Sequence, residues 1–156
     1  MHYRFFLAGI IQGSKQGFEL CDQTYRDRLK SILKQGFTNC ELLCPVEEHP
    51  NSIRYTDEEA RATFFTNVQR AKDSTALVVY LPEASMGSGI EMWEAYRAGI
   101  PIFTITPMLT NWVIRILSSR IFPNLEAFEE FVLSGEMKKM LDAYLIHSTH
   151  AGTHSK

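Results

Sequence analysis

The sequence predicts an α/β fold: a doubly wound parallel sheet with helices on both of its faces. Three observations predict it. Four apolar runs rich in β-branched and aromatic residues, at residues 3–11, 39–44, 76–81 and 100–106, each give way to a proline or a polar loop. Stretches of helical period alternate with these runs, as βαβ units require. The connections are short and no segment repeats.

Size and composition fit one domain. The chain has 156 residues, with 45% hydrophobic and 22% charged side chains, ordinary for a globular protein with a substantial core. A net charge of −2 without a basic block argues against a polymeric nucleic acid partner. No apolar run approaches the ~20 residues that cross a bilayer, and Arg4 interrupts the first apolar segment, so no signal peptide is expected. Cys21, Cys40 and Cys44 are odd in number and lack paired spacing. They read as buried thiols in a reducing compartment, and a cytoplasmic location is expected. The domain is expected over residues 1–146, with a disordered tail over 147–156. His147, His150 and His154 in that tail do not make a metal site.

The first strand, from Tyr3 to Ile11, is central and leads into the polar loop Gln12–Gly17. That loop lacks a full phosphate-loop pattern. Phe18 to Gln35 has helical period, with Leu20, Tyr25, Leu29, Ile32 and Leu33 for one face, and Gly36 stops it. Asn39 to Cys44 forms the second strand, ended by Pro45. Val46 to Thr56 reads as a polar loop, with His49 at the surface. Thr56 to Glu59 starts a helix with acids in its first turn, continuing through Phe64, Val68 and Ala71.

Ala76 to Leu81 is the third strand. Pro82 stops it, a small-residue loop with Gly87 and Gly89 follows, and Ser85 or Ser88 caps a helix near Gly89. A strand, a glycine turn and a helix start together make a place for an anion. Glu91, read in the first helical turn, either complements the helix dipole or serves chemistry as an ionised carboxylate. Glu94, one turn on, reads as a surface partner of Arg97. Ile100 to Thr106 is the fourth strand. Asn111 to Leu117 is a helix too apolar for one buried side, so Trp112 and Ile116 suit a subunit contact. Arg120 to Pro123 adds an edge strand, and Asn124 caps a last helical region broken near Gly135.

A flavodoxin-like strand order, 2-1-3-4-5, sets the loops after strands one and three side by side at the switch point. Gln12–Ser14 then faces Ser85–Glu91 across one crevice.

The runs Phe6–Ile10 (FLAGI), Leu81–Glu91 (LPEASMGSGIE) and Ile102–Pro107 (IFTITP) occur in that order. They resemble the nucleoside 2-deoxyribosyltransferase superfamily, which includes the 2′-deoxynucleoside 5′-monophosphate N-hydrolases, over residues 3–117. The resemblance implies a homodimer or higher homo-oligomer that binds a small nucleoside or nucleotide, cleaves its N-glycosidic bond and uses no cofactor. It makes Glu91 the nucleophile. Gly9, Gln12, Gly13, Ser85, Met86, Gly87, Ser88 and Gly89 become substrate-binding residues. Asn111 is placed with a residue that reaches a neighbouring subunit's site. Transferases of the family tend to carry an aspartate where this chain has Ser85, and the monophosphate hydrolases carry serine. A serine beside free amides suits a 5′-phosphate.

Two departures stand out. The family aspartate that helps protonate the leaving base falls at Phe65 when counted back from Asp73, with Asp57, Glu58, Glu59 and Asn67 as possible substitutes. Phe5 and Phe6 stand where the first strand often carries a tyrosine. A catalytically impaired nucleotide-binding module on the same fold is the alternative. A flavin carrier is disfavoured, because the loop after strand one lacks the expected Ser/Thr-rich phosphate cradle.

Overall fold

The structure, a computed structural model, describes residues 1–151, with side chains through residue 147. The chain runs β1 (Tyr3–Gly9), α1 (Tyr25–Gly36), β2 (Cys40–Leu43), α2 (Pro45–Glu48), a 3-10 turn (Ser52–Arg54), α3 (Asp57–Lys72), β3 (Ala76–Tyr80), α4 (Met86–Arg97), β4 (Ile102–Ile105), α5 (Trp112–Leu117), β5 (Arg120–Phe122), α6 (Leu125–Leu133) and α7 (Glu136–Ala151). The five strands form one sheet in the order β2-β1-β3-β4-β5, and every neighbouring pair is parallel. This is the predicted flavodoxin-like arrangement.

Alternation along the central strands sorts the core into two layers. Phe5 and Leu7 pack with Leu29 and Ile32 of α1, Phe128 of α6 and Leu141 of α7. Phe6 and Ala8 pack on the other face with Ala71 of α3, Met92 and Ala95 of α4, and Ile114 of α5. Both faces of β1 are therefore dry, which is why its sequence is a near-continuous apolar run. Phe5 and Phe6 are fully buried in these layers, and neither lines the crevice described below.

Three boundaries differ from the sequence reading. α1 starts at Tyr25, not Phe18. Gly13 and Gly17 adopt φ of 59° and 62°, a left-handed backbone that a helix cannot continue. Residues 10–24 instead form a loop closed by its own hydrogen bonds, where the Cys21 N–H donates to the Ile11 carbonyl at 2.7 Å. Gln23 Nε2 donates to the carbonyls of Ile10 and Cys21, both at 2.9 Å.

The segment after β2 contains α2 and the 3-10 turn, since Pro45 suits a first helical position. His49 there pairs with the Tyr55 hydroxyl at 3.0 Å.

α4 starts at Met86, with Ser85 as its cap. Gly87 and Gly89 therefore belong to the helix, not to a preceding loop. At α3 the expected start holds, as Thr56 and Glu59 form a reciprocal capping box. At the C-terminus α7 reaches Ala151, and residues 152–156, with most of the expected disordered tail, lie outside the described residues. No helix among the described residues is long and apolar enough to cross a membrane. The three cysteines are free thiols, with Cys44 fully buried and Cys21 and Cys40 partly so.

Candidate active site

Gly9 of β1 is in register with Tyr80 of β3, so the loops after these two strands emerge together. Between them and α3 lies a crevice of about 480 Å³. Gly9, Gln12 and Gly13 line one side, and Ser85, Met86, Gly87, Ser88 and Glu91 line the other. The predicted adjacency across the switch point is thus present.

Gly89 and Asn111 lie elsewhere. They line an adjoining groove of about 250 Å³ between α4 and α5, which shares Ser85 and Met86 with the crevice. The Gly89 N–H is taken by the Ser85 carbonyl at 3.0 Å, the first bond of α4. Asn111 Oδ1 caps α5 by accepting from the Ile114 N–H at 3.2 Å. Gln12 faces the crevice, yet its side-chain amide donates to the Gly17 carbonyl at 2.9 Å and so braces its own loop.

The start of α4 leaves free donors. Ser88 N–H reaches the Ser85 hydroxyl only at 3.4 Å. The amides of Met86 and Gly87 precede the first possible intrahelical acceptor, so they are open to a ligand. No atom lies within 4 Å of where a Cβ on Gly87 would stand, which marks open space there.

Glu91 sits in the second turn of α4, because that helix begins earlier than its sequence suggested. The N-terminal dipole acts mainly within the first turn, so burial dominates instead. Burial pushes the Glu91 carboxyl up to about 8, against an opposing pull from the Arg26 guanidinium. That shift favours the protonated carboxyl, not the ionised carboxylate expected from a first-turn position.

α3 contributes Phe64 and Asn67, three apart on one helical face. Phe65 points away. It is 56% exposed, packs edge-on against Phe64 and lies under Arg61. Among the possible substitutes for the family aspartate, Asp57, Glu58 and Glu59 do not line the crevice, and Glu59 is engaged in the capping box. Asn67 does line it. Glu91 is thus the sole carboxylic acid among the lining residues. Glu94, as expected, turns to Arg97 at 3.2 Å.

Three buried polar atoms near the crevice have no hydrogen-bond partner: Asn67 Oδ1, Ser88 Oγ and Tyr25 Oη. Such orphans are uncommon in folded proteins, and at a cleft they mark groups kept for a ligand or water. Sequence reasoning did not single out Phe64 or Tyr25. The spacing of Phe64, Asn67 and buried Ala71 on one helical stripe was the available signal for α3. No local signal marks Tyr25, whose ring stacks on Tyr80 at 4.1 Å.

No family model matches the sequence, and no curated protein does. Among solved structures the fold is similar to that of a 2-deoxyribosyltransferase from the psychrotolerant bacterium Bacillus psychrosaccharolyticus. That match has 15% identity and a TM-score of 0.60, covering 81% of this chain and 90% of that one. It is also similar to a conserved protein from Enterococcus faecalis V583, at 18% identity and a TM-score of 0.60, covering 85% and 98%. The likeness to 2-deoxyribosyltransferases holds at the level of the fold.

Proposed function

We propose that this protein cleaves the N-glycosidic bond of a nucleoside 5′-monophosphate or a related nucleotide, with Glu91 as nucleophile. The observation that carries the reading is the isolation of Glu91. It is one carboxyl in a crevice otherwise lined by neutral groups, beside a helix start with open amides and the unpartnered hydroxyl of Ser88. The fold shared with a 2-deoxyribosyltransferase supports the same reading.

In this scheme the sugar phosphate rests on Ser85, Ser88 and the amides of Met86 and Gly87. The base lies on the α3 side, against Phe64, with Asn67 Oδ1 accepting from a ring N–H or an amino group. The Glu91 carboxylate attacks the anomeric carbon as the C–N bond breaks, and the base leaves with the bonding electrons. Water then hydrolyses the glycosyl ester and returns the carboxylate. Transfer to a second base is the other fate of that ester, and hydrolysis is favoured by Ser85 standing where an aspartate would repel phosphate.

The reading includes a homo-oligomer. Met86 is 88% exposed, Trp112 78% and Ile116 64%, and Met86 lines both the crevice and the groove beside α5. A second copy seated there would cover apolar surface and wall the site at once.

Incubation with a panel of nucleoside monophosphates, monitored chromatographically for free base, tests the function. Base release that is lost in Glu91→Gln is expected. Release that persists unchanged in that variant rejects the nucleophile.

A second reading, a nucleotide-binding module without catalysis, is favoured by Asn67. A carboxamide cannot supply the proton that a departing base takes up. Thermal stabilisation by nucleotides without base release, alike in wild type and Glu91→Gln, would select it.

A further inference from the structure

The start of α4 borders two cavities. Ala84, Ser85 and Met86 line both the crevice and the groove between α4 and α5. A phosphate resting on this turn therefore has the crevice on one side and the groove on the other. The two differ in character. The crevice presents Glu91, Asn67 and Ser88, whereas the groove is walled by Leu81, Met92, Met108, Val113 and Ile114. Beyond Ser85, its polar side chain is Asn111, whose Oδ1 is committed to the α5 cap while its amide keeps its N–H donors.

Gly89 bears on what the groove holds. It lies within α4, where glycine weakens a helix relative to alanine. Its backbone is not left-handed, and among the described residues no atom lies within 4 Å of where its β-carbon would stand. Nothing in the described chain calls for a glycine there, and what it provides is an open wall for the groove. Charge points the same way. Among the described residues, no lysine or arginine lines either cavity. A phosphate monoester brings about −1.5 to −2 charge at pH 7 to a site whose nucleophile must itself become an anion, and like charges oppose each other. A phosphodiester carries a single charge, and its second ester arm needs a place to lie.

We propose that the substrate is a nucleoside 5′-phosphodiester whose second arm is a neutral, ring-sized group lying in the α4–α5 groove. The proposal rests on the reading above for the seating of the phosphate at the start of α4, where the buried hydroxyl of Ser88 has no partner. At about 250 Å³ against about 480 Å³ for the crevice, the groove takes a smaller group than a nucleoside phosphate. Its methionines suit the face of an aromatic ring, and Asn111 offers that ring a donor. A second charged group would find no counter-ion there. Trp112 and Ile116, which suit a subunit contact, do not line the groove, so a second copy seated on them need not fill it.

Matched nucleotides test this: for each base, the free 5′-monophosphate, its methyl ester, its phenyl ester and a dinucleoside phosphate. The methyl ester lowers the charge without filling the groove, and the phenyl ester does both. Calorimetry on Glu91→Gln reads binding, and base release by wild type reads turnover. The methyl ester is expected to bind at least as tightly as the monophosphate, and the phenyl ester about tenfold more tightly than the methyl ester. Gly89→Leu, which puts a side chain into the groove, should erase the difference between phenyl and methyl. Val113→Trp should do so from α5, and serves if Gly89→Leu does not fold. A dinucleoside phosphate bound as tightly as the phenyl ester identifies a nucleoside as the natural arm, and weaker binding identifies a simple ring; either upholds the groove. Equal affinity for the two esters, the result a groove filled by a second copy would give, overturns the proposal. So does a monophosphate bound more tightly than both, or a phenyl preference that survives both substitutions. If the affinities follow the expected pattern while wild type releases no base from any nucleotide, the glycosidase reading fails and the groove assignment stands. If no nucleotide binds, both fall.

Discussion

The hydroxyl of Tyr25 lies 2.2 Å from where a β-carbon on Gly9 would stand. Gly9 is therefore required by close approach, not by its backbone angles, and the tyrosine lies directly beneath the residue that lines the crevice. Gly9→Ala should destabilise the fold by about 1–3 kcal/mol through overpacking, measured by urea unfolding. Because the hydroxyl has no hydrogen-bond partner, Tyr25→Phe alone should cost little, and combined with Gly9→Ala it should recover much of the loss. Strict additivity of the two changes would contradict the contact.

Glu91 gives a stability signature with a definite sign. Its proton is held to about pH 8 in the folded chain, against an ordinary value of 4.5. Below 4.5 both states are protonated, so its contribution is fully present there. As pH rises from 4.5 towards 8 the unfolded chain releases the proton first, and that contribution is lost, levelling above 8. Glu91→Gln does not titrate. Its stability relative to wild type should therefore grow across this window, by roughly 2–4 kcal/mol in total. Urea melts at pH 5 and pH 8.5 measure the difference, and equal differences at the two values would contradict the raised carboxyl. For the proposed reaction the same shift predicts faster base release at pH 8.5 than at pH 6.5.

Asn67 is expected to read the ligand. Asn67→Ala removes an acceptor that is buried and has no hydrogen-bond partner among the described residues. It should weaken nucleotide binding by about 1–3 kcal/mol, followed by calorimetry, with little cost to the unliganded fold. Asn67→Asp places a potential proton donor on α3. Under the glycosidase reading it should raise base release tenfold or more, within the range of general acid catalysis.

The apolar face of α5 is expected to be covered in solution. Trp112→Ser combined with Ile116→Ser should lower the mass measured by light scattering to that of a single chain. A wild-type mass already equal to one chain would dispose of the oligomer.

The sheet was legible in the sequence because strands buried on both faces leave uninterrupted apolar runs, as Ala76–Tyr80 does. The alternation of strands and helices gave a parallel sheet, and of the orders open to it the flavodoxin-like one is the order found. The crevice was half legible. Glu91 and Ser85 announce themselves through the small-residue turn, whereas Phe64 and Asn67 depend on which face α3 presents, and that is settled by Ala71 docking on the sheet. Counting residues back from Asp73 led to Phe65, which faces solvent. The start of α1 was misplaced for a different reason. Phe18 and Leu20 mimic a helical stripe, but left-handed glycines at positions 13 and 17 and the hydrogen bonds of Gln23 hold the segment as a loop.

The pairing of Gly9 with Tyr80 has a consequence for when this site comes into being. The two halves of the crevice come from segments far apart in the chain, brought together by the pairing of β1 with β3. A nascent chain therefore has no such crevice until α4 has been synthesised and docked. Under the proposed function, a nucleotide that binds only the completed site would favour the folded population by about 1.4 kcal/mol for each tenfold excess over its Kd. Nucleotide occupancy would then double as a gauge of how much of the protein is fully assembled.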